Sequence, residues 1–184
     1  MKIIETERLI LRELLTDDDE NMFELDSNAE VHKYLGNNPV TTIEQVREVI
    51  ASVRQQYIKN GIGRWAAIEK SSGNFIGWSG LKFITEPENN QVNFYDVGYR
   101  LIPKYWGKGY ATESTKAALE YGFTKMNLEE IIGTVNENNK ASKRALEKCG
   151  LKFIEKFQWK NITCDWMKIS KTEWKFLNNK LNVS

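Results

Sequence analysis

A strand-like run, VGYRLI (97–102), stops at Pro103 and is followed almost at once by a glycine-bearing turn, WGKGYATE (Trp106 to Glu113), that opens a helix. Few chain arrangements satisfy this. Proline cannot donate to a sheet ladder, so the strand must end there. Small residues at a helix start expose backbone N–H groups that an anion can approach closely. Gly107, Gly109 and Ala111 meet that need, so the segment reads as a phosphate-binding turn. Two common phosphate signatures do not fit it. A Walker loop places Ser or Thr after its Gly-Lys, whereas Gly109 follows Lys108. A dinucleotide fingerprint requires a third small residue where Thr112 stands.

The surrounding pattern places this turn in an α+β domain. TERLILRE, Thr6 to Glu13, alternates apolar Leu9 and Leu11 with Arg8, Ile10 and Arg12, which predicts a first strand. Thr16 before Asp17, Asp18 and Asp19 reads as an N-cap with acidic residues in the first turn, opening a helix that runs to about Asn28. Ile43, Val46, Val49, Ile50, Val53 and Tyr57 recur at helical spacing, with Thr42 and Gln45 as a capping box and Gly61 and Gly63 as the stop. The intervening VHKYLGNNPV (31–40) reads as a loop able to wall a pocket. From Arg64 three antiparallel strands follow: RWAAIEK, NFIGWSGLKFI and VNFYDVGYRLI. A helix from Tyr110 to Met126 presents Leu119, Phe123 and Met126 on one face, and EEIIGTV is a strand after it. Asn139 caps KASKRALEKC, whose stripe is Ala141, Ala145, Leu146 and Cys149, with Gly150 ending it. LKFIEKFQW and TCDWMKIS are strand-like. The order predicts one domain over residues 1–184 with a mixed sheet.

Composition narrows what the anion site serves. Lys plus Arg number 26 against 25 acidic residues, with neither sign gathered in a block, so nucleic acid is not the expected partner. No stretch approaches the roughly 18 apolar residues of a spanning helix, so no membrane is expected and the location is read as cytoplasmic. Cys149 and Cys164 stand apart and His32 is the single histidine, so no metal site is expected. Both cysteines read as packing residues, in keeping with a reducing compartment.

Three segments, TERLILRE, VGYRLIPKYWGKGYATES and NKASKRALEKCGLKF, resemble in content and order the GCN5-related N-acetyltransferase (GNAT) superfamily. Gly109 and Ala111 match the small positions of its loose motif, Gln/Arg-x-x-Gly-x-Gly/Ala. Trp106 stands where Gln or Arg is usual, a departure shared by the RimJ/RimL-like branch, which acetylates protein N-termini and other amines. The resemblance spans about Thr6 to Trp174. It implies a mixed sheet whose fourth and fifth strands, here VGYRLI and EEIIGTV, splay into a V-shaped cleft for the pantetheine arm of acetyl-CoA, the co-substrate. Backbone groups of Leu101 and Ile102 would then bond the pantetheine amides. Trp106, Gly107, Lys108, Gly109, Tyr110 and Ala111 would hold the pyrophosphate. Asn139 would touch the cofactor as well as cap its helix.

Acyl transfer needs a neutral amine, and an alkyl ammonium has a pKa of about 10, so a base or a water chain must take a proton. Asp96 is the candidate. It lies two residues before Gly98, where the resembling branch often carries Glu, and alternation puts it on one face with Gly98 and Arg100. Its shorter side chain favours a bridging water. Glu86 and Glu88 compete from a loop, and Glu113 reads as stabilising its helix start. The departing thiolate needs a hydrogen-bond donor. Leu146 occupies the family's usual tyrosine position, and Ser142 is the branch's replacement. A covalent acyl-cysteine route fits poorly, because Cys149 lies on an apolar stripe without a nearby histidine. Tyr34 and Asn37, with His32, Asn38 and Trp159, would wall the acceptor pocket. The expectation is direct N-acetyl transfer to a primary amine of a protein N-terminus or a small molecule. The alternative is a non-catalytic acyl-CoA-binding sensor, suggested by the departures at Trp106, Asp96 and Leu146. A homodimer is left open.

Overall fold

A computed structural model of the protein describes residues 3–181. The run from Arg64 folds as expected into three antiparallel strands, β3 (Trp65–Glu69), β4 (Phe75–Ile84) and β5 (Phe94–Leu101), with Trp65 opposite Ser79 and Lys82 opposite Asp96. β2 (Leu9–Glu13) lies antiparallel beside β3, and β1 (Ile3–Glu5) edges β2. The other half of the sheet is β6 (Glu130–Asn136), β8 (Ile162–Ser170) and β7 (Lys152–Trp159), again antiparallel. The spatial order is β1-β2-β3-β4-β5-β6-β8-β7. β5 and β6 run parallel, and their pairing is confined to Asp96 opposite Ile132. Beyond that pair the strands part toward Leu101 and Asn136, so the splay expected of VGYRLI and EEIIGTV is present.

The helices are α1 (Asp19–Asp26), α2 (Ala29–His32), α3 (Ile43–Asn60), α4 (Tyr110–Thr124), α5 (Lys140–Lys148) and α6 (Lys171–Leu181). α3 has its capping box, Thr42 with Gln45, and its left-handed stop at Gly61. α5 is capped by the Asn139 side chain, which accepts the Ser142 N–H at 3.1 Å. Its stripe buries Ala145, Leu146 and Cys149 but leaves Ala141 exposed. α4 buries Leu119 and Phe123 and ends at Thr124, short of Met126.

The starts of β2 and α1 differ from expectation, each because a side chain competes for the backbone. Thr6 closes a turn with Leu9, its N–H on the Leu9 carbonyl at 2.9 Å and its hydroxyl accepting the Leu9 N–H at 2.9 Å, so β2 begins at Leu9 and not at Thr6. Thr16 is not the N-cap. Its hydroxyl turns to Asp17, and Asp18 accepts the Leu15 N–H at 2.8 Å while taking two bonds from Arg12 at 2.7 and 2.8 Å. Residues Thr16–Asp18 therefore form a 3-10 turn, and α1 starts at Asp19. The expected loop 31–40 loses Val31 and His32 to α2, which the Asn28 side chain caps by accepting the Glu30 N–H at 2.9 Å, and β1 and α6 are further elements outside the expected set.

Alternation on β5 gives the sheet two chemically different faces. On one face Tyr99 meets Ser142 of α5, and Cys149, just past α5, bonds the Thr112 carbonyl of α4. A Cβ at Gly133 would lie 2.7 Å from a Leu151 methyl and 3.2 Å from a Leu146 methyl on this side, so a side chain there would displace the leucines that pack β6 against α5. The opposite face carries Asp96 and Arg100, the latter paired with Asp26 of α1. Below the junction on this face sits a small cluster of Ile84, Phe94, Ile132, Phe157, Cys164 and Trp166. Trp166 packs edge-on against Phe94 and Phe157, with centroids 5.0 and 5.3 Å apart. Side chains thus join the half-sheets where backbone pairing does not.

Trp166 is 1% exposed, so Trp166→Ala should lower unfolding free energy in urea by about 3–5 kcal/mol. Ile154→Ala, half exposed on the outer strand β7, should change it by no more than about 0.5 kcal/mol.

Candidate active site

Gly107 (φ +73°) and Gly109 (φ +84°) both take left-handed backbone between the 3-10 turn Pro103–Tyr105 and α4. A Cβ at Gly107 would meet nothing within 4 Å, so glycine is required there by conformation and not by space. The first bond of α4 runs from the Glu113 N–H to the Gly109 carbonyl at 3.0 Å. The N–H groups of Tyr110, Ala111 and Thr112 precede it, and Gly109 has no side chain to cap them. Three donors at the positive end of a 15-residue helix suit an anion. Lys108 is exposed beside them, its ammonium 5.3 Å from the Tyr105 ring centroid. The Tyr110 side chain turns away and donates to Glu69, leaving only its N–H for a ligand.

Leu101 and Ile102 separate in role. Ile102 donates to the Ile76 carbonyl of β4 at 2.9 Å and accepts from Tyr105 at 2.9 Å, so its N–H is committed within the chain and only the second lone pair of its carbonyl is left for a ligand. Alternate residues of an antiparallel ladder turn opposite ways, so Leu101 directs its N–H and carbonyl into the gap beside β6. The Trp106 indole donates to that carbonyl at 2.7 Å, which explains a tryptophan at this position: it folds the turn down onto the end of β5.

Asp96 lies at the apex of the splay, 9% exposed. One carboxylate oxygen pairs with Arg64, and the other is buried with no partner at full hydrogen-bonding geometry, the Thr134 backbone N–H being close enough to stabilise the charged form. Burial pushes its carboxyl above the ordinary range, against the opposing pull of Arg64. Arg64 also donates to the Asp96 carbonyl at 2.7 Å and stacks on Trp78, whose other neighbour is Arg100. Glu88 is half-buried, its carboxyl raised by burial and by the nearby Asp96 charge. Glu113 differs: burial would raise its pKa, but hydrogen bonds from Thr6 and Arg8 outweigh this and hold it low, so it is a poor base.

Across the gap the Tyr99 hydroxyl and Ser142 Oγ lie 2.9 Å apart. Tyr99 sits inside the VGYRLI run with no local signal of a role; its odd position places it on the face opposite Asp96, toward α5. Tyr34 is half-buried, and its carbonyl accepts from Asn136 at the open end of β6 at 3.3 Å. Asn37 is exposed in left-handed backbone and closes a turn on the His32 carbonyl at 3.0 Å. His32 is buried and held below its usual pKa by burial and by Arg100.

Residues 8–152 match the family described as the acetyltransferase (GNAT) domain. The chain belongs to this family. GNAT proteins transfer acetyl groups from acetyl-CoA, and the uncapped turn, the gap and the buried carboxylate at its apex fit that donor and an amine acceptor. The uncharacterised N-acetyltransferase YoaA of Bacillus subtilis is 32% identical over 88% of this chain and 90% of its own. A GNAT-family acetyltransferase structure from Bacillus anthracis superposes with a TM-score of 0.76 at 27% identity, covering 93% of this chain and 99% of that one. The fold is also that of Vibrio cholerae spermidine N-acetyltransferase in complex with CoA and spermine, at TM-score 0.73 and 20% identity over 92% of this chain and 99% of that one. The chain is thus an acetyl-CoA-dependent N-acetyltransferase of the GNAT fold.

Both cysteines are buried free thiols pushed up by burial, Cys149 to about 12 and Cys164 to about 11. At pH 8 the native protein should react with a disulfide reagent at under about a hundredth of the rate of the urea-unfolded chain, whose thiols titrate near 8.5. Rapid native labelling of either would show an accessible thiolate.

Proposed function

We propose that this chain acetylates a primary amine, of a small molecule or a protein N-terminus, by direct transfer in a ternary complex, in the manner of the RimJ/RimL-like branch. The observation that carries the reading is the gap that opens at Asp96, with Asp96 on one face of β5 and the Tyr99–Ser142 pair on the other. Acetyl-CoA supplies the activated acetyl group. Its pantetheine arm would lie in the gap and bond the Leu101 backbone as a missing neighbour strand would. The diphosphate would meet the N–H groups that open α4, beside Gly107, Lys108 and Ala111, with Asn139 at the far wall.

Asp96 then faces the acceptor. Burial strengthens it as a base, and its unpartnered oxygen is where the ammonium proton, or a water carrying it, is accepted. Arg64 holds the other oxygen and fixes its direction. On the opposite face Ser142 donates a hydrogen bond to the departing sulfur, and Tyr99 donates in turn to Ser142. Tyr99 thereby supplies from β5 the phenol that Leu146 cannot supply from α5. Tyr34 and its neighbours in the loop before α3 wall the acceptor side, as Tyr34 reaches the open end of β6.

Incubation with acetyl-CoA and a panel of free-amino peptides, polyamines and simple amines should release CoA thiol with at least one acceptor. Asp96→Asn should lower kcat/KM by about a hundred-fold. Ser142→Ala and Tyr99→Phe should each lower kcat about ten-fold, with the double variant well short of the product. Tight CoA binding without turnover on any amine would favour the sensor reading and sink this one.

A further inference from the structure

Outside the gap, one polar network ties the start of the chain to the phosphate turn. Thr6 Oγ1 donates to Glu113 Oε1 at 2.6 Å, and the Arg8 backbone N–H reaches the same oxygen at 2.8 Å. Arg8 Nε donates to Glu113 Oε2 at 2.7 Å, while Nη1 donates to the Lys108 carbonyl at 2.9 Å. The guanidinium lies over the Tyr110 ring, 4.5 Å from its centroid, and Tyr110 is itself fixed by its bond to Glu69. Arg8 is therefore held by a carboxylate at one edge and an aromatic face beneath. Its remaining edge grips one peptide group of the turn.

That peptide decides where the turn's donors point. In a trans peptide the C=O and the following N–H lie on opposite sides. With the Lys108 carbonyl drawn to Arg8, the Gly109 N–H is turned away from Arg8, and the brace fixes which side of the turn it serves. Turning this peptide over rotates ψ of Lys108 and φ of Gly109, and glycine at 109 permits the rotation, so an unbraced Lys108–Gly109 peptide could present its carbonyl to the anion instead. A Cβ at Gly109 would lie 3.3 Å from Arg8 Nη2, so this position also stays small to admit the brace. Glu113 already neutralises Arg8 at 2.6 Å. Its contribution is thus orientation and not a further charge for the phosphates.

We infer that Arg8, seated by Glu113 and Tyr110, is a positioning residue for the diphosphate of acetyl-CoA, acting through the Lys108–Gly109 peptide. This rests on the acetyl-CoA reading. The test compares CoA with pantetheine, the same thiol arm without the diphosphate and nucleotide, by calorimetric titration of the wild type and Arg8→Gln. The Kd for CoA should rise about ten-fold, equivalent to about 1.4 kcal/mol, while the Kd for pantetheine stays within about two-fold. In steady state KM for acetyl-CoA should rise in parallel, with kcat at saturation and KM for the amine unchanged. Arg8→Lys keeps the stem and charge but cannot hold Glu113 and Lys108 together. It should show the same split at smaller size, and it carries the test if Arg8→Gln does not fold. A folded variant with unchanged CoA affinity, or with equal loss for both ligands, overturns the brace. A wild type that binds neither ligand overturns the acetyl-CoA reading and the brace with it.

Discussion

The constraint on which the rest of the structure depends is the failure of β5 and β6 to pair beyond Asp96 and Ile132. A parallel ladder left open strands backbone donors and acceptors that a sheet would otherwise satisfy. The opening persists because side chains hold the half-sheets at a set separation. Trp166, Phe94, Phe157 and Ile132 fill one face below the junction, and Leu146 and Leu151 crowd the bare Cα of Gly133 on the other. The gap is thus bounded by packed side chains on both faces of the sheet.

The phosphate turn is built on the same principle. The Trp106 indole, the Ile102 bond to β4 and the Arg8 grip on Lys108 fix three successive parts of the segment between β5 and α4. Two left-handed glycines would otherwise leave this stretch mobile. A turn already in shape loses little conformational freedom when an anion arrives, so more of the gross attraction survives as affinity.

Local pattern carried much of this into view from the sequence, and long-range pairing carried the remainder. The three strands after Arg64, the Thr42–Gln45 box and the Asn139 cap depend on neighbours within a few residues, and each stands where periodicity puts it. Alternation likewise set Asp96 and Arg100 on one face. Tyr99 with Ser142, Arg64 with Asp96 and Arg8 with Glu113 join residues far apart in the chain, and no local spacing announces them. The bond from the Ile102 N–H to the Ile76 carbonyl is of the same long-range kind. α6 is a different case. Ser170 and Glu173 exchange hydrogen bonds at its start in the pattern of a capping box, a local signal masked by the strand-like run that leads into it. β1 is only three residues long, too short for alternation to register.

The two faces of β5 have a consequence for how such a chain can change. In a strand the side of the sheet that a residue serves is a matter of parity. Even positions 96 and 100 look toward the acceptor side under the proposed assignment, and odd positions 99 and 101 toward the donor. A substitution at one parity meets different neighbours from one at the other, although both belong to a single eight-residue strand. A lineage can therefore vary the even register around a retained Asp96 while inheriting the Tyr99 contact to Ser142 along the odd.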